Sequence, residues 1–170
     1  NEELLAKLMG GVGGYDVIVP SDYMVAAMIR QCVLAELDRA RMPNFAKLDA
    51  RFTGLYYDRE NRFSIPYLWG VTGIGYDAAR VDPPPDSWSV LWDPKFKNRM
   101  SLLNDQREAF AMALQERGLP VNTTQEAHLR QAQARLLAQK KLVKTYNSQT
   151  NETLLAMGEI DVAHAWSGDI

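Results

Sequence analysis

Residues 64–76 have the sequence Ser-Ile-Pro-Tyr-Leu-Trp-Gly-Val-Thr-Gly-Ile-Gly-Tyr, a long apolar run that glycines interrupt at positions 70, 73 and 75. Its β-branched and aromatic residues are typical of extended chain. Glycine inside a strand marks a bend, a bulge or a close approach of the backbone. We therefore expect the chain to cross between two lobes near residues 70–75, with three prolines at 83–85 as a stiff linker behind the crossing.

Three elements are predicted on the amino-terminal side of this run. Apolar residues recur at helical spacing after Asn1 and stop at Gly10, which predicts a first helix. Residues 15–20 form a short β-branched run that predicts a buried parallel strand. Ser21 is the expected N-cap of a second helix. Helix, strand and helix in succession are typical of an α/β layer, so residues 1–70 are predicted to be part of a first lobe.

The carboxyl-terminal side shows the same alternation. Short apolar runs at residues 100–103, 143–146 and 160–166 predict strands. A helix is expected to begin at Asn104 or Asp105, and the spacing Thr123-x-x-Glu126 predicts a capping box for the next helix. Residues 71–170 are therefore predicted to be a second α/β lobe.

Composition excludes several classes of protein. The 170 residues carry 19 Lys and Arg against 21 Asp and Glu, a net charge of −2, with no basic run of the kind that nucleic-acid binding needs. No apolar run approaches the roughly 18 residues of a membrane span, so no direct membrane insertion is expected. The chain begins with Asn1 and not with a methionine, and we interpret it as a fragment of a longer protein.

Candidate ligand residues follow the predicted strands, because ligands of open α/β sheets lie beyond the carboxyl ends of strands. Ser21 and Tyr23 stand at the first such place. Ser21 alone is explained most simply as a helix cap. Tyr23 beside it offers a ring and a hydroxyl at the edge of a crevice, which makes the pair more informative than either residue.

Asp105 and Glu108 are the second candidate. Three residues apart, they lie on one side of a first helical turn. Capping and the helix dipole favour acidic residues there by about 0.3–2 kcal/mol each, so a purely structural role explains this pair equally well. In the functional alternative, the same dipole keeps both carboxylates ionised for an ammonium group.

Trp166 and Asp169, just after the last predicted strand, are the third candidate. A core indole is the usual role of a tryptophan at a strand end, yet these two residues place an aromatic face and a carboxylate at one opening. The three loops supply rings and anions but few cations, which suits a cationic ligand. Charged hydrogen bonds contribute about 1.5–3 kcal/mol each and cation–π contacts about 0.5–2 kcal/mol. A few of them would give micromolar binding, about −8 kcal/mol.

No pattern predicts catalysis, a metal site or a bound cofactor. His128 lies in a polar helix, and His164 stands alone in a strand, where a histidine is more often part of the core than a base or a ligand. No His and Cys cluster has metal-ligand spacing. Phosphate-binding glycine motifs and the nucleophile motif G-x-S-x-G are also missing from the sequence. We therefore do not expect an enzyme.

At these loops the chain resembles the spermidine/putrescine-binding proteins of ABC transporters, which have the type II periplasmic solute-binding fold. Order and spacing agree over essentially all 170 residues. The segment Ile-Pro-Tyr-x-Trp-Gly, residues 65–70, is fairly specific to this group. The further matching stretches are residues 15–23, 105–114 and 165–169.

The resemblance implies a fold of two α/β lobes joined by crossing strands, with a ligand in the cleft between them. It implies that Ser21 and Tyr23 line the first lobe's side and that Asp105 and Glu108 bind amine groups from the second lobe. Trp166 would flank the methylene chain, and Asp169 matches an acid of the putrescine-type members. The lobes would close around the ligand by a hinge.

The resemblance also implies missing parts. The family's opening strand and first aromatic–acidic loop would precede residue 1, and its last third would follow residue 170. Asp22 is acidic where the family commonly has a small or polar residue. We therefore expect most of a second lobe and an incomplete first lobe with exposed sheet edges.

The function that the resemblance implies is a non-catalytic receptor, periplasmic or lipid-anchored outside the cell. It would bind putrescine or spermidine and deliver it to a membrane permease of an ABC transporter. One alternative keeps the fold and changes the ligand to another small solute. A second is a cytoplasmic effector-sensing domain of a regulator, and an enzyme is the third.

Overall fold

The computed structural model describes residues 1–11 and 13–170. These residues form two compact units, Asn1–Trp69 and Gly70–Ile170. Both contain helices, and the strands of the described residues all lie in the second unit. None of the helices in the described residues combines the length and the apolar character needed to cross a bilayer.

The second unit is built on a four-stranded sheet. Its strands are β1 (Thr72–Tyr76), β2 (Met100–Leu102), β3 (Thr145–Tyr146) and β4 (Val162–Trp166). They lie in the order β1-β4-β2-β3. β1 is antiparallel to β4, whereas the β4–β2 and β2–β3 pairs are parallel. This mixed sheet, with helices between its strands in the chain, confirms the predicted α/β class.

Helices cover both faces of this sheet. Three helices belong to the unit: α3 (Gln106–Glu116), α4 (Glu126–Gln139) and α5 (Asn151–Ala156). Because successive side chains of a strand point to opposite faces, β4 contributes to two clusters. Val162 packs in the cluster that includes residues of α3 and α4, whereas Ala163 and Ala165 pack against leucines of α5. The main core thus lies between α3, α4 and one face of the sheet.

The first unit has two α-helices and little buried apolar surface. They are α1 (Glu2–Met9) and α2 (Asp22–Arg30), and three short 3₁₀-helices follow at Arg39–Arg41, Pro43–Lys47 and Ala50–Phe52. Among its described residues, the buried apolar side chains are the three of α2, Met24, Val25 and Met28. Both helices were predicted from the sequence, and both are confirmed.

The predicted strand at residues 15–20 is wrong, and the strand within the extended run 64–76 is short. Residues 15–20 form no strand, and only Thr72–Tyr76 of the long run 64–76 is in the sheet. The side chains of Val17 and Val19 are largely exposed. A strand needs a neighbour for its N–H and C=O groups, and no other strand lies in the first unit within the described residues. β-branched sequence alone was therefore insufficient.

The predicted capping box at Thr123 and Glu126 is also wrong. α4 has Gln125 as its N-cap, without a side-chain hydrogen bond. The Thr123 hydroxyl instead accepts a hydrogen bond from the Gln125 N–H and contacts Nδ1 of His128. The threonine lies two residues before the N-cap, too far from the helix for the reciprocal bond that a capping box requires.

Candidate functional site

Strand pairing brings Thr72, Glu108 and Trp166 together in the second unit. Thr72 lies directly opposite Trp166 in the antiparallel β1–β4 ladder, so both side chains leave the same face of the sheet. The Thr72 hydroxyl donates a hydrogen bond of 2.7 Å to Oε2 of Glu108. A half-buried carboxylate and a half-buried indole thus both lie beside Thr72.

Asp105 lies at the start of the same helix. It is the N-cap of α3, and its Oδ1 accepts a hydrogen bond of 3.1 Å from the backbone N–H of Glu108. The Asp105 residue is only 5% exposed. Capping, the structural role that the sequence left open for this residue, is therefore confirmed. It also fixes the carboxylate beside Glu108, at the positive end of the helix dipole.

Beneath these residues the same face of β4 carries His164. The imidazole is buried, and its Nδ1 has no hydrogen-bond partner within the part of the chain that the structure describes. Trp88 meets the imidazole edge-on, with ring centroids 5.5 Å apart. Burial lowers the pKa of His164 from 6.5 to about 4, although the nearby charge of Asp105 opposes the shift. This neutral histidine is part of the core, as the sequence indicated.

Asp169 lies in the turn that follows β4. Its backbone N–H donates to the carbonyl of Trp166 over 3.1 Å, and its side chain is exposed. Two hydrogen bonds join this turn to Val71, the residue before β1. The N–H of Ser167 donates to the Val71 carbonyl, and the Ser167 hydroxyl accepts from the Val71 N–H. Trp166 and Asp169 are therefore neighbours at one fixed end of the β1–β4 pair.

In the first unit, Asn1 brings Ser21 and Tyr23 together. The Asn1 amide donates to the Ser21 hydroxyl and to the Tyr23 hydroxyl, each over 3.0 Å. The side-chain oxygen of Asn1, Oδ1, accepts a hydrogen bond of 3.0 Å from the backbone N–H of Ser21. Ser21 is the N-cap of α2 as predicted, but its side chain makes no capping bond. No sequence pattern signalled this contact across 20 residues.

Asp22, between these two residues, is held inside the first unit. Its Oδ2 accepts a hydrogen bond of 3.1 Å from the Tyr56 hydroxyl. Its Oδ1 accepts one of 2.6 Å from the Tyr23 N–H. The acid that departs from the family pattern thus stands next to the predicted ligand residues Ser21 and Tyr23, and its orientation is fixed by a tyrosine that the sequence did not suggest.

The six predicted ligand residues fall into two groups, one in each unit. Ser21 and Tyr23 are joined in the first unit, whereas Asp105, Glu108, Trp166 and Asp169 cluster at one end of the sheet in the second. That all six contact one ligand stays a prediction. Among the described residues, no group of three or more His, Cys, Asp or Glu side chains could hold a metal ion.

A cavity in the second unit is separate from this cluster. It has a volume of about 420 Å³ and opens between β1, the end of α3 and the segment around Trp88. Gly73 and Ile74 of β1 line it, but none of the six predicted ligand residues does. The predicted residues of the second unit therefore lie outside this cavity.

Comparison with known proteins identifies the family. The sequence matches bacterial extracellular solute-binding proteins over residues 1–170. It is 38% identical over 176 residues to the putrescine/cadaverine-binding protein of Pseudomonas aeruginosa, covering 99% of this chain and 50% of that protein. It is also 38% identical over 173 residues to spermidine/putrescine-binding periplasmic protein 1 of Haemophilus influenzae, covering 100% of this chain and 48% of that protein.

A solved structure shows the same fold. The chain superposes on a lipoprotein of Treponema pallidum with a TM-score of 0.83 and 30% sequence identity, covering 99% of this chain and 53% of that one. The chain spans about half the length of the curated relatives it matches. The match over all its residues and the shared α/β architecture establish that the chain belongs to the bacterial extracellular solute-binding proteins.

Proposed function

We propose that this chain is the polyamine-binding part of an extracytoplasmic receptor that delivers putrescine or spermidine to an ABC permease. The observation that carries the proposal is the pairing of Glu108 with Thr72 beside Trp166. Thr72 thus has an anion as its hydrogen-bond partner and an indole as its cross-strand neighbour, and Asp105 adds a second carboxylate at the same helix end. A polyamine offers the complementary chemistry of ammonium groups joined by methylene chains.

The acids and the indole would contribute in different ways. Each ammonium–carboxylate hydrogen bond is charge-assisted and contributes about 1.5–3 kcal/mol. The Trp166 ring would cover methylene groups and attract an adjacent ammonium through its negative face, for about 0.5–2 kcal/mol. We propose that Glu108 and Asp105 bind one amine, that Trp166 flanks the chain, and that Asp169 binds a second amine.

The relatives support both the ligand class and the location. Proteins named for binding putrescine, cadaverine or spermidine match along nearly the whole chain, and one of them is named periplasmic. A structural relative is a lipoprotein. We therefore propose a periplasmic or lipid-anchored location and a non-catalytic role. The units Asn1–Trp69 and Gly70–Ile170 are proposed as parts of the first and second lobes, with Ser21 and Tyr23 as further ligand residues.

The test is calorimetric titration of putrescine and spermidine into the full protein that carries this chain. The wild-type protein should bind with an affinity that falls as salt rises, because ionic contacts are screened. The double variant Asp105→Asn plus Glu108→Gln should bind at least about 100-fold more weakly, since two charge-assisted bonds are lost. Asparagine is also a good N-cap, so α3 is expected to remain folded in this variant.

A matched control removes two negative charges elsewhere. The variant Asp86→Asn plus Glu152→Gln changes two exposed carboxylates of the same unit, and its affinity should equal that of the wild type. Equal affinity of the Asp105 and Glu108 double variant would refute the site. Absence of polyamine binding by the wild-type protein, with titrations of amino acids or sugars giving heat, would refute the ligand class.

A further inference from the structure

The Glu108 carboxylate is oriented by a hydrogen bond from another element of the protein. A glutamate side chain on a helix surface has several open rotamers, and binding a ligand must select one of them at an entropic cost. Here one oxygen of Glu108, Oε2, accepts the hydrogen bond from the Thr72 hydroxyl. This bond connects residues 36 positions apart. The helix that carries the acid is thereby joined to the edge strand of the sheet.

Thr72 is well suited to fix the position of a partner. Its backbone is in β1 and pairs with Trp166 of β4, so the ladder sets where its Cβ lies. Its χ1 angle is restricted because threonine is β-branched. The hydroxyl therefore has few positions available. Its hydrogen bond in turn limits the positions of the Glu108 carboxylate. The same pairing determines where the Trp166 side chain leaves the sheet.

We propose that Thr72 is a positioning residue for ligand binding, which orients the Glu108 carboxylate toward the amine beside Trp166. The inference rests on the proposed polyamine function. The hydroxyl donates to Oε2 and contributes no charge of its own. By fixing the carboxylate before the ligand arrives, it reduces the ordering cost of binding, which is the general effect of preorganisation. Nothing in the chemistry requires Thr72 to touch the ligand.

The experiment compares Thr72→Val with Thr72→Ser in the full protein, using titration with putrescine and spermidine. Valine keeps the shape of threonine and removes the donor, so the dissociation constant should rise about tenfold, the size expected for a charged hydrogen bond in a half-exposed setting. Serine restores the donor and should return the constant to within about threefold of wild type. Thr145→Val is the matched control, since Thr145 is a half-buried threonine of the same sheet in β3. It should leave affinity unchanged.

A double-mutant cycle tests whether Thr72 acts through Glu108. In a Glu108→Gln background, Thr72→Val should change the dissociation constant by less than about twofold, because the charged partner is gone. Full additivity of the two changes would overturn the proposal. So would equal losses of affinity in Thr72→Val and Thr72→Ser, or a lowered melting temperature in Thr72→Val with unchanged affinity. Failure of the wild-type protein to bind either polyamine would overturn the proposed function instead, so the two failures are distinguishable.

Discussion

The two compact units of this chain differ in how they hold their predicted ligand residues. In Gly70–Ile170, a four-stranded sheet and three helices enclose a buried core, and Glu108 and Trp166 are fixed by strand pairing and by Thr72. In Asn1–Trp69, the described residues contain no strand, and a single side-chain amide, that of Asn1, joins Ser21 to Tyr23.

This difference shows what a sheet contributes to a binding site. Backbone pairing defines the direction of every side chain on a strand, so residues far apart in sequence are set beside one another without specific side-chain contacts. Where the described residues offer no partner strand, as for residues 15–20, apolar side chains such as Val17 and Val19 stay exposed to solvent. The positions of ligand residues then depend on individual polar contacts, each of which contributes about 1 kcal/mol.

The largest expected effect concerns core packing in the two units. Leu102→Ala removes a fully buried side chain of β2 and should destabilise the second unit by about 2–5 kcal/mol, because it leaves a cavity. Val19→Ala shortens a side chain that is 71% exposed and should change the stability of the first unit by less than about 0.5 kcal/mol. Native-state hydrogen exchange read by peptide mass spectrometry measures both changes region by region.

The pair of variants also reveals whether the comparison is right. Loss of protection in Leu102→Ala should be confined to peptides from residues 70–170, with β2 and β4 most affected because they are hydrogen-bonded neighbours. A comparable loss of protection in Val19→Ala would mean that residues 15–20 are packed in solution, and the contrast between the two units would then be wrong.

The next effect is a pH dependence that comes from the buried histidine of the second unit. The pKa of His164 is lowered by burial from 6.5 to about 4. The unfolded chain therefore binds a proton between these pH values that the folded chain does not. Above about pH 6.5, His164 does not lower the free energy of unfolding. As the pH falls from 6.5 toward 4, that free energy decreases by about 3 kcal/mol in total.

His164→Gln isolates this contribution. Urea denaturation gives the free energy of unfolding of each protein. The wild-type value minus the variant value should fall by about 3 kcal/mol from pH 7 to pH 4, because the variant lacks the titrating imidazole. Asp58 and Asp161, whose pKa values are lowered, are present in both proteins and cancel in the difference. For Asp161 the cause is mainly the hydrogen bond from Arg99, and for Asp58 a set of hydrogen bonds that outweighs its burial. A difference that stays constant with pH would contradict a buried neutral histidine.

The elements that the sequence predicted correctly are those with local signals. Asp105 caps α3 as expected, and Gly118 and Gly158, which end helical segments, have positive φ angles of 67°. The strands at residues 100–102 and 162–166 were predicted from apolar runs and lie in the middle of the sheet. In each case the decisive interaction lies within a few residues, or the run is buried on both faces.

The sequence suggested the residue types of the candidate site but not the contacts between its side chains. Acids, rings and their places after strands gave the six candidates, and the resemblance to polyamine-binding proteins gave their proposed roles. Thr72 and Asn1 were missed because each acts across a long sequence separation, 36 and 20 residues, which no local pattern encodes. Residues 15–20 were predicted as a strand because a local pattern describes a single strand. It does not show whether a neighbouring strand is present to pair with it.

The smallest expected effect lies at the polar contact of the first unit. Asn1→Ala removes the donors to the Ser21 and Tyr23 hydroxyls and the acceptor for the Ser21 N–H. It should raise the exchange rate of the backbone amides at the start of α2 by about fivefold, which corresponds to about 1 kcal/mol. Hydrogen exchange followed by NMR resolves these amides individually.

Asn1→Asp separates the two roles of this amide. Aspartate keeps an acceptor for the Ser21 N–H and lacks the amide donors, so protection of that N–H should survive while the bonds that Asn1 donates to the two hydroxyls are lost. If Ser21 and Tyr23 bind the proposed polyamine, both Asn1 variants should weaken its binding by only about threefold, since one neutral hydrogen bond contributes about 1 kcal/mol or less. That is less than the tenfold loss expected for Thr72→Val. A larger loss from Asn1→Asp than from Thr72→Val would contradict the view that the sheet, more than the polar contact, determines the geometry of the site.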